Sequence, residues 1–323
     1  MTPPTPSNGS APAPPLDVHF QSFSRSQWAA LGQPLADGPS PVDVVLLSAT
    51  GQPVAVDEVT EVYRPLAQYL ALRATAAVEL QRRTHEFLDD DRPSAPFVIG
   101  IGGSVAAGKS TTARILQVLL ADGPGRPRVE LLTTDGFLYP NAVLEGQGLV
   151  ERKGFPESYD QRKLVGALAA IKAGYPEVET PVYSHHTYDI VPGESQVIRH
   201  PDMLIVEGLN VLDVSTKGAP DRVMVSDFFD FSIYVDAAEE DVARWFVQRL
   251  QGFRTTASQE PDSFFHRFDS MSDEQITGMA EQVWSEINLV NLVENIAPTR
   301  GRAHMVLEKD GDHRVSRVRL RQV

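Results

Sequence analysis

Phe97-Val98-Ile99-Gly100-Ile101-Gly102-Gly103-Ser104-Val105-Ala106-Ala107-Gly108-Lys109-Ser110-Thr111-Thr112 is the stretch on which the reading of this chain turns. A short apolar run, Phe97 to Ile101, leads into glycines, and the helical pattern Thr111 to Leu120 follows, which reads as strand, loop, helix. Gly103 to Ser110 matches G-x-x-x-x-G-K-[ST] with no position missing. Glycines let the backbone turn so that successive N–H groups face one point, and the start of the following helix adds its positive end there. A polyphosphate belongs at that point. Gly103, Ser104, Val105, Ala106, Ala107, Gly108, Lys109, Ser110 and Thr111 are the expected nucleotide contacts. Lys109 would reach the β- and γ-phosphates of ATP, and the Ser110 hydroxyl would ligate Mg²⁺. The alternative, a glycine-rich turn with a surface lysine, needs the flanking strand and helix to arise by coincidence.

Working outward, further apolar runs at Val129 to Thr133, Met203 to Val206 and Phe231 to Val235 read as buried parallel strands. Helical patterns lie at Asp160 to Ala173, Glu239 to Phe253 and Ser272 to Asn295. The expected fold is therefore α/β, a mostly parallel P-loop-type sheet with helices on both faces. Upstream, a short helix is expected from Phe20 to Leu31, and Asp57 is an N-cap candidate for a helix running to about Leu88 with a break at Pro65. Ala303 to Glu308 and Val315 to Leu320, joined around Asp310-Gly311-Asp312, read as a carboxyl-terminal hairpin. Met1 to Pro15, rich in Pro, Ser, Thr and Ala, reads as a disordered arm, which leaves residues 16–323 as one domain.

Composition narrows the functions. The formal net charge is −14, which argues against a nucleic-acid partner, although a few local basic groups still suffice for one small anion. The chain has no cysteine, which excludes disulfides, thiolate metal sites and cysteine nucleophiles. No basic-then-apolar leader and no stretch of roughly 18 apolar residues occurs, so neither secretion nor membrane spanning is expected, and the cytoplasm is the default location.

The loop alone does not separate a kinase from a GTPase or a motor ATPase. An Asn-Lys-x-Asp guanine-reading segment and a Leu-Ser-Gly-Gly-Gln segment are both absent, which favours a small-molecule kinase. Asp135 follows the second strand in Thr133-Thr134-Asp135-Gly136-Phe137, where strand ends line the ligand crevice. A carboxylate there can orient an acceptor hydroxyl and take its proton, though an Asp in a turn is the plain alternative. Glu207, after Leu204-Ile205-Val206, is suited to hold Mg²⁺ through a water, or is simply a solvated strand end. Arg249, on the Glu239 to Phe253 helix, could cover the phosphates or be a surface arginine. Tyr183-Ser184-His185-His186-Thr187-Tyr188 is dense in hydrogen-bonding rings, and alternation in an extended strand would set Tyr183 and His185 on one face as a wall for a polar substrate. A zinc site is the competing reading of the histidines.

Gly103 to Arg114, Thr133 to Leu138, Lys153-Gly154-Phe155-Pro156-Glu157-Ser158-Tyr159-Asp160, Tyr183 to Asp189, Glu207-Gly208-Leu209-Asn210-Val211-Leu212 and Glu286-Ile287-Asn288 together resemble the type I pantothenate kinases. The resemblance runs from about Phe20 to Arg321; uridine kinases and phosphoribulokinases share the loop but not this ordered set. It implies ATP- and Mg²⁺-dependent phosphorylation of the 4′-hydroxyl of pantothenate, the first step towards coenzyme A, by a homodimer that coenzyme A inhibits. By motif it implies that Asp135 acts on the substrate hydroxyl, with Lys109 and Arg249 beside the transferring phosphoryl group. Tyr183, His185, Tyr188, Arg249 and Asn288 would shape the pantothenate site. Lys109, Arg114, His185, Phe253 and Phe265 would meet coenzyme A, with Tyr188 also near its pantetheine arm. One helix departs: where the family commonly has Trp-Tyr and, three residues on, Arg-Phe, this chain reads Trp245-Phe246-Val247-Gln248-Arg249-Leu250.

Alternatives at this stage are a kinase of another polyol and a non-catalytic nucleotide or coenzyme A sensor. An intact Asp135, Lys109 and Ser110 argue against the sensor, which has no need of a hydroxyl-activating carboxylate.

Overall fold

Isoleucines and valines alternate along the central strands because both faces of the sheet are covered. Ile99, Ile101, Ile205, Ile233 and Leu307 face one helical layer, and Val98, Leu204, Val206, Tyr234 and Val306 face the other. The computed structural model describes residues 19–33, 54–214, 223–257 and 263–322. The arm expected at Met1 to Pro15 lies outside the described residues. In chain order the elements are β1 (Phe20–Ser24), α1 (Arg25–Ala29), α2 (Arg64–Leu88), β2 (Phe97–Gly103), α3 (Lys109–Ala121), β3 (Val129–Thr133), α4 (Asn141–Gly146), α5 (Gln161–Lys172), β4 (Glu177–Ser184), β5 (Asp189–Arg199), β6 (Met203–Glu207), β7 (Phe231–Asp236), α6 (Glu239–Ala257), α7 (Asp273–Val283), β8 (Met305–Lys309) and β9 (Val315–Arg321).

The main sheet runs β1-β9-β8-β7-β2-β6-β3. From β8 to β3 all neighbours are parallel, and β9 and β1 add two antiparallel strands at the edge. Leu66 and Leu70 of α2 and Ile115 and Leu116 of α3 fill one core, while Leu164, Leu168 and Ile171 of α5 fill the other. The register sets Ile101 and Thr133 beside Glu207, and Gly103 beside Val235, so the carboxyl ends of four strands open onto one edge. The strands β4 and β5 form a separate antiparallel hairpin.

Three expectations need correction. The helix expected at Phe20 to Leu31 is instead a strand followed by a short helix. Phe20 to Ser24 find backbone partners in Arg321 to Arg317, at the far end of the chain, and the Ser24–Gln27 capping box then starts α1. Asp57 is not the N-cap. The first helical turn begins at Val56 after Ala55, and Asp57 within it pairs with Arg25 and Arg314. Nor does Pro65 break the helix: the π-helical turn Val59–Tyr63 widens the backbone just before it, and Pro65 is the second residue of α2. The Ser272 to Asn295 helix is present, widened into π turns at Trp284–Asn288 and Leu292–Ile296, and it continues as a 3₁₀ turn to Arg302.

Candidate active site

At Gly103 the backbone takes φ 141°, and a Cβ there would lie 2.4 Å from the Val235 carbonyl oxygen. Only glycine lets the chain leave β2 in this direction. The loop closes on itself through buried Lys109, whose Nζ donates to the Ser104 carbonyl at 2.8 Å. Burial pushes the Lys109 ammonium pKa down, and the carboxylates of Glu207 and Asp135 oppose that shift. In the first turn of α3, Ser110 Oγ donates to Glu207 Oε1 at 3.0 Å, which couples the loop to the end of β6.

Asp135 stands in the 3₁₀ turn Thr134–Phe137 that ends β3. A Cβ on Gly136 would lie 2.2 Å from the Pro181 carbonyl, so glycine is what lets this turn press against β4. Burial raises the Asp135 pKa, while the charges of Lys109, Arg249 and Lys153 and the nearby Tyr159 hydroxyl pull it back. Glu207 is also raised by burial; Lys109 opposes this and Asp135 adds to it. Half-buried Asp135 and buried Glu207 thus share the charge of one buried lysine. Arg249 reaches the same place from α6. Its Nε is buried without a hydrogen-bond partner, its guanidinium carbon lies 5.1 Å from the Phe253 ring centroid, and its charge acts on Asp135 and His185.

The aromatic wall is built differently from the expectation. The strand β4 ends at Ser184, and His185 to Tyr188 form a turn, with Tyr188 at φ 55°. Tyr183 and His185 still meet, with ring centroids 5.3 Å apart, through the turn rather than through strand alternation. Tyr188 stacks on Phe264 at 4.8 Å and meets Phe265 edge-on at 5.9 Å, while Phe253 stacks on Phe265 at 4.8 Å. Burial is the main cause lowering the His185 pKa, and the charges of Arg249 and Arg114 push the same way. Asn288 ends the π turn Trp284–Asn288, and its Nδ2 donates to Val283 O at 3.5 Å. Among the described residues no three His, Asp or Glu side chains gather as a metal cage.

Residues 98–257 match the phosphoribulokinase / uridine kinase family. Among individual proteins, the chain is 48% identical over 313 residues to a pantothenate kinase of Brevibacillus brevis, covering 96% of this chain and 98% of that one. It is 49% identical to a pantothenate kinase of Mycolicibacterium smegmatis, covering 97% and 100%, and 51% identical to one of Myxococcus xanthus, covering 94% and 96%. The chain belongs to the pantothenate kinases. The solved structure of a D-glycerate 3-kinase from Cryptococcus neoformans, 14% identical with a TM-score of 0.55 over 77% of this chain and 97% of that one, shares the fold.

Several residues that gather at the site have no role assigned from the sequence. Lys153 Nζ donates to Asn141 Oδ1 and to the Tyr188 carbonyl, both at 2.7 Å, and lies 4.2 Å from the Tyr188 ring centroid. Asn141 adds its own bonds to the Tyr188 carbonyl at 3.1 Å and to Asp189 Oδ1 at 3.0 Å, so the aromatic turn is pinned from below. On the other side of the phosphate loop, His313 of the carboxyl-terminal hairpin bonds the Ala106 carbonyl through Nε2 at 3.0 Å. A carbonyl only accepts, so Nε2 carries the hydrogen and Nδ1 accepts from Lys309 Nζ at 3.1 Å. Ala106 sits at φ 59°, a left-handed bend rare for alanine, and His313 holds it there. The His313 ring stacks on Trp245 at 3.8 Å, and both line a groove with Arg244, Gln248, Gly311 and Asp312. For Lys153 the signal was its place in the quoted Lys153 to Asp160 stretch; for His313 only proximity in space reveals it.

Proposed function

We infer that the protein transfers the γ-phosphoryl group of ATP to the 4′-hydroxyl of pantothenate, giving 4′-phosphopantothenate in the first step of coenzyme A biosynthesis. The observation that carries this reading is identity of 48–51% to pantothenate kinases over nearly their whole length. The site agrees chemically, since oxygen donors of hydroxyl and carboxylate type suit Mg²⁺ and the buried cations suit a polyphosphate. When bound, Mg²⁺-ATP supplies the phosphoryl group and part of the charge compensation. Ser110 gives its hydroxyl hydrogen to Glu207, which leaves the oxygen lone pairs available to a metal ion. Lys109 and Arg249 present positive charge where charge moves during transfer. Asp135 orients the acceptor hydroxyl and takes its proton; its raised pKa makes it a stronger base, and the charges of Lys109, Arg249 and Lys153 oppose that rise. Tyr183, His185, Tyr188 and Asn288 line the pantothenate side, and the Trp245–His313 groove beside the loop takes the nucleoside.

Coenzyme A acts as the inhibitor in this reading, with its phosphates at Lys109 and Arg114 and its arm along His185, Tyr188, Phe253 and Phe265, so that it competes with ATP for Lys109. Phe246 and Leu250 stand where the family commonly has tyrosine and phenylalanine, which makes this face of α6 the place where inhibitor sensitivity is set. Residues 16–323 act as one kinase domain, in a homodimer, in the cytoplasm. No helix among the described residues is long and apolar enough to cross a membrane.

The test is ADP release by the purified protein with Mg²⁺-ATP and, separately, pantothenate, uridine and ribulose 5-phosphate, each with and without coenzyme A. Turnover with pantothenate alone, suppressed by coenzyme A, is expected. Turnover with another acceptor in its place would overturn the substrate, and pantothenate turnover indifferent to coenzyme A would overturn the inhibition.

A further inference from the structure

The chain carries 43 acidic against 29 basic side chains, so a cluster of cations without carboxylate partners calls for an explanation. Such a cluster stands at the amino ends of β7 and β8. Along β9 the arginines alternate onto one face. Arg317 and Arg319 both reach Glu308, at 3.4 and 3.2 Å, but among the described residues Arg321 meets no carboxylate. Nor, among the described residues, do Arg73 of α2 or Arg302 of the turn before β8, although nearby Arg300 has Asp236 at 2.8 Å. Arg321 Nε is buried with no hydrogen-bond partner, while its Nη2 donates to the Gly301 carbonyl.

His304 lies among these arginines in a defined state. The Ser232 backbone N–H donates to His304 Nδ1 at 3.1 Å, and since an N–H only donates, Nε2 carries the ring hydrogen. That Nε2–H has no hydrogen-bond partner among the described residues. The imidazole stacks on Phe231 with centroids 5.1 Å apart, and the Arg73 guanidinium carbon lies 5.6 Å from the same Phe231 centroid. Arg321 lies 5.5 Å from the Phe20 ring centroid. Phe231 thus lies against His304 and Arg73, and Phe20 against Arg321. We propose that Arg73, Arg302, His304 and Arg321 form a second anion site, remote from Asp135, that takes a tetrahedral phosphate dianion either free or as a small phosphomonoester.

The electrostatics agree with this geometry. Burial, then the charges of Arg321 and Arg73, lower the His304 pKa, and burial with the charge of Arg302 lowers that of Arg321. A dianion would reverse the sign of the local field and supply acceptors for the unused donors. The site is separate from the phosphate loop: along β7 from Phe231 to Val235, which abuts Gly103, the chain advances roughly 13 Å. An occupant would tie α2, β9 and the turn before β8 to one another.

The test is an NMR titration of the His304 ring in the full chain, assigned by the signal lost in His304→Gln. Inorganic phosphate and glycerol 3-phosphate are added in separate arms against chloride at equal ionic strength. The expected result is a rise in the His304 pKa of about one unit with at least one of the two phosphates and not with chloride. Arg73→Gln, an exposed helix position, weakens the phosphate response about tenfold without changing kinase turnover, and Arg321→Gln does the same if it folds. Lys109→Ala keeps the response. The proposal is overturned if neither phosphate moves His304 more than chloride does, if Arg73→Gln responds like the parent protein, or if Lys109→Ala abolishes the response, which would place the bound anion in the phosphate loop.

Discussion

Asp135 and Glu207 are both withdrawn from solvent, Asp135 only in part, and both raised in pKa, yet their neighbours give them different work. Glu207 already accepts a hydrogen bond from Ser110, whereas Asp135 faces Arg249, Lys153 and the aromatic turn, where an acceptor alcohol would enter. Asp135→Asn keeps the shape and removes the base. It is expected to bind ATP normally and to lower kcat by about 10²- to 10⁴-fold; near-parental turnover in steady-state assays would take Asp135 out of the proton transfer. Lys153 gives a second test, through pH. Burial lowers its pKa to about 8, against the pull of Asp189 and Asp135. Below that value the ammonium is charged, holds Asn141 and the Tyr188 carbonyl, and favours the carboxylate form of Asp135; as pH rises through it, that charge is lost. The kcat/KM for pantothenate is therefore expected to fall on the alkaline side with a midpoint at about 8. Lys153→Arg, which stays charged, moves the limb to higher pH. An unchanged limb in Lys153→Arg would assign it to another group.

At the scale of elements, what was legible in the sequence was what depends on near neighbours. The phosphate loop, the strand ends bearing Asp135 and Glu207, and the Asp160 and Ser272 helix starts all follow from local pattern, and the side chains of Asp160 and Ser272 do cap α5 and α7. What was hidden depends on distant pairing. Phe20 to Ser24 are a strand only because β9 comes alongside, and His313 meets Ala106 across 207 residues of chain. The aromatic wall was found for a partly wrong reason: its rings converge in a turn shaped by Tyr188 in the left-handed region and pinned by Asn141 and Lys153, none of which alternation foresees. The carboxyl-terminal hairpin was legible as a hairpin, but its bond to the nucleotide loop was not. Burial lowers the Lys309 pKa to about 8 and, with the Lys309 charge, that of His313 to about 4, so near neutral pH His313 is a neutral ring whose tautomer Lys309 fixes. Lys309→Met and His313→Ala are each expected to raise KM for ATP about tenfold, about 1.4 kcal/mol, with KM for pantothenate unchanged. An unaltered KM for ATP in Lys309→Met would show that the loop holds its bend without this brace.

For the whole molecule, the long helix α2 connects the loop to a surface that nothing among the described residues covers. Its inner side packs Leu66 and Leu70 into the core, and Tyr63, just before it, meets Thr112 Oγ1 of α3 at 3.2 Å. Its outer side exposes Leu72 at 66%, Leu80 at 67% and Phe87 at 87%, spaced so that they share one stripe, beside the ion pairs Glu79 makes with Arg82 and Arg83. Large apolar side chains in a row on a helix mark an association surface, and burying each is worth about 1.5–3 kcal/mol. A twofold contact sets the same stripe of two copies against itself, which is the simplest way for the homodimer proposed above to form. Sedimentation of the parent protein is then expected at twice the chain mass, and Leu80→Glu combined with Phe87→Glu at the chain mass, with turnover per chain retained because Asp135, Lys109, Glu207 and Arg249 all come from one chain. A parent protein that sediments as a monomer would dismiss the dimer. A double variant that remains dimeric would move the contact off α2, and one that dissociates and loses turnover would show that the helix carries its partner's support through Tyr63 and Thr112 to the phosphate loop.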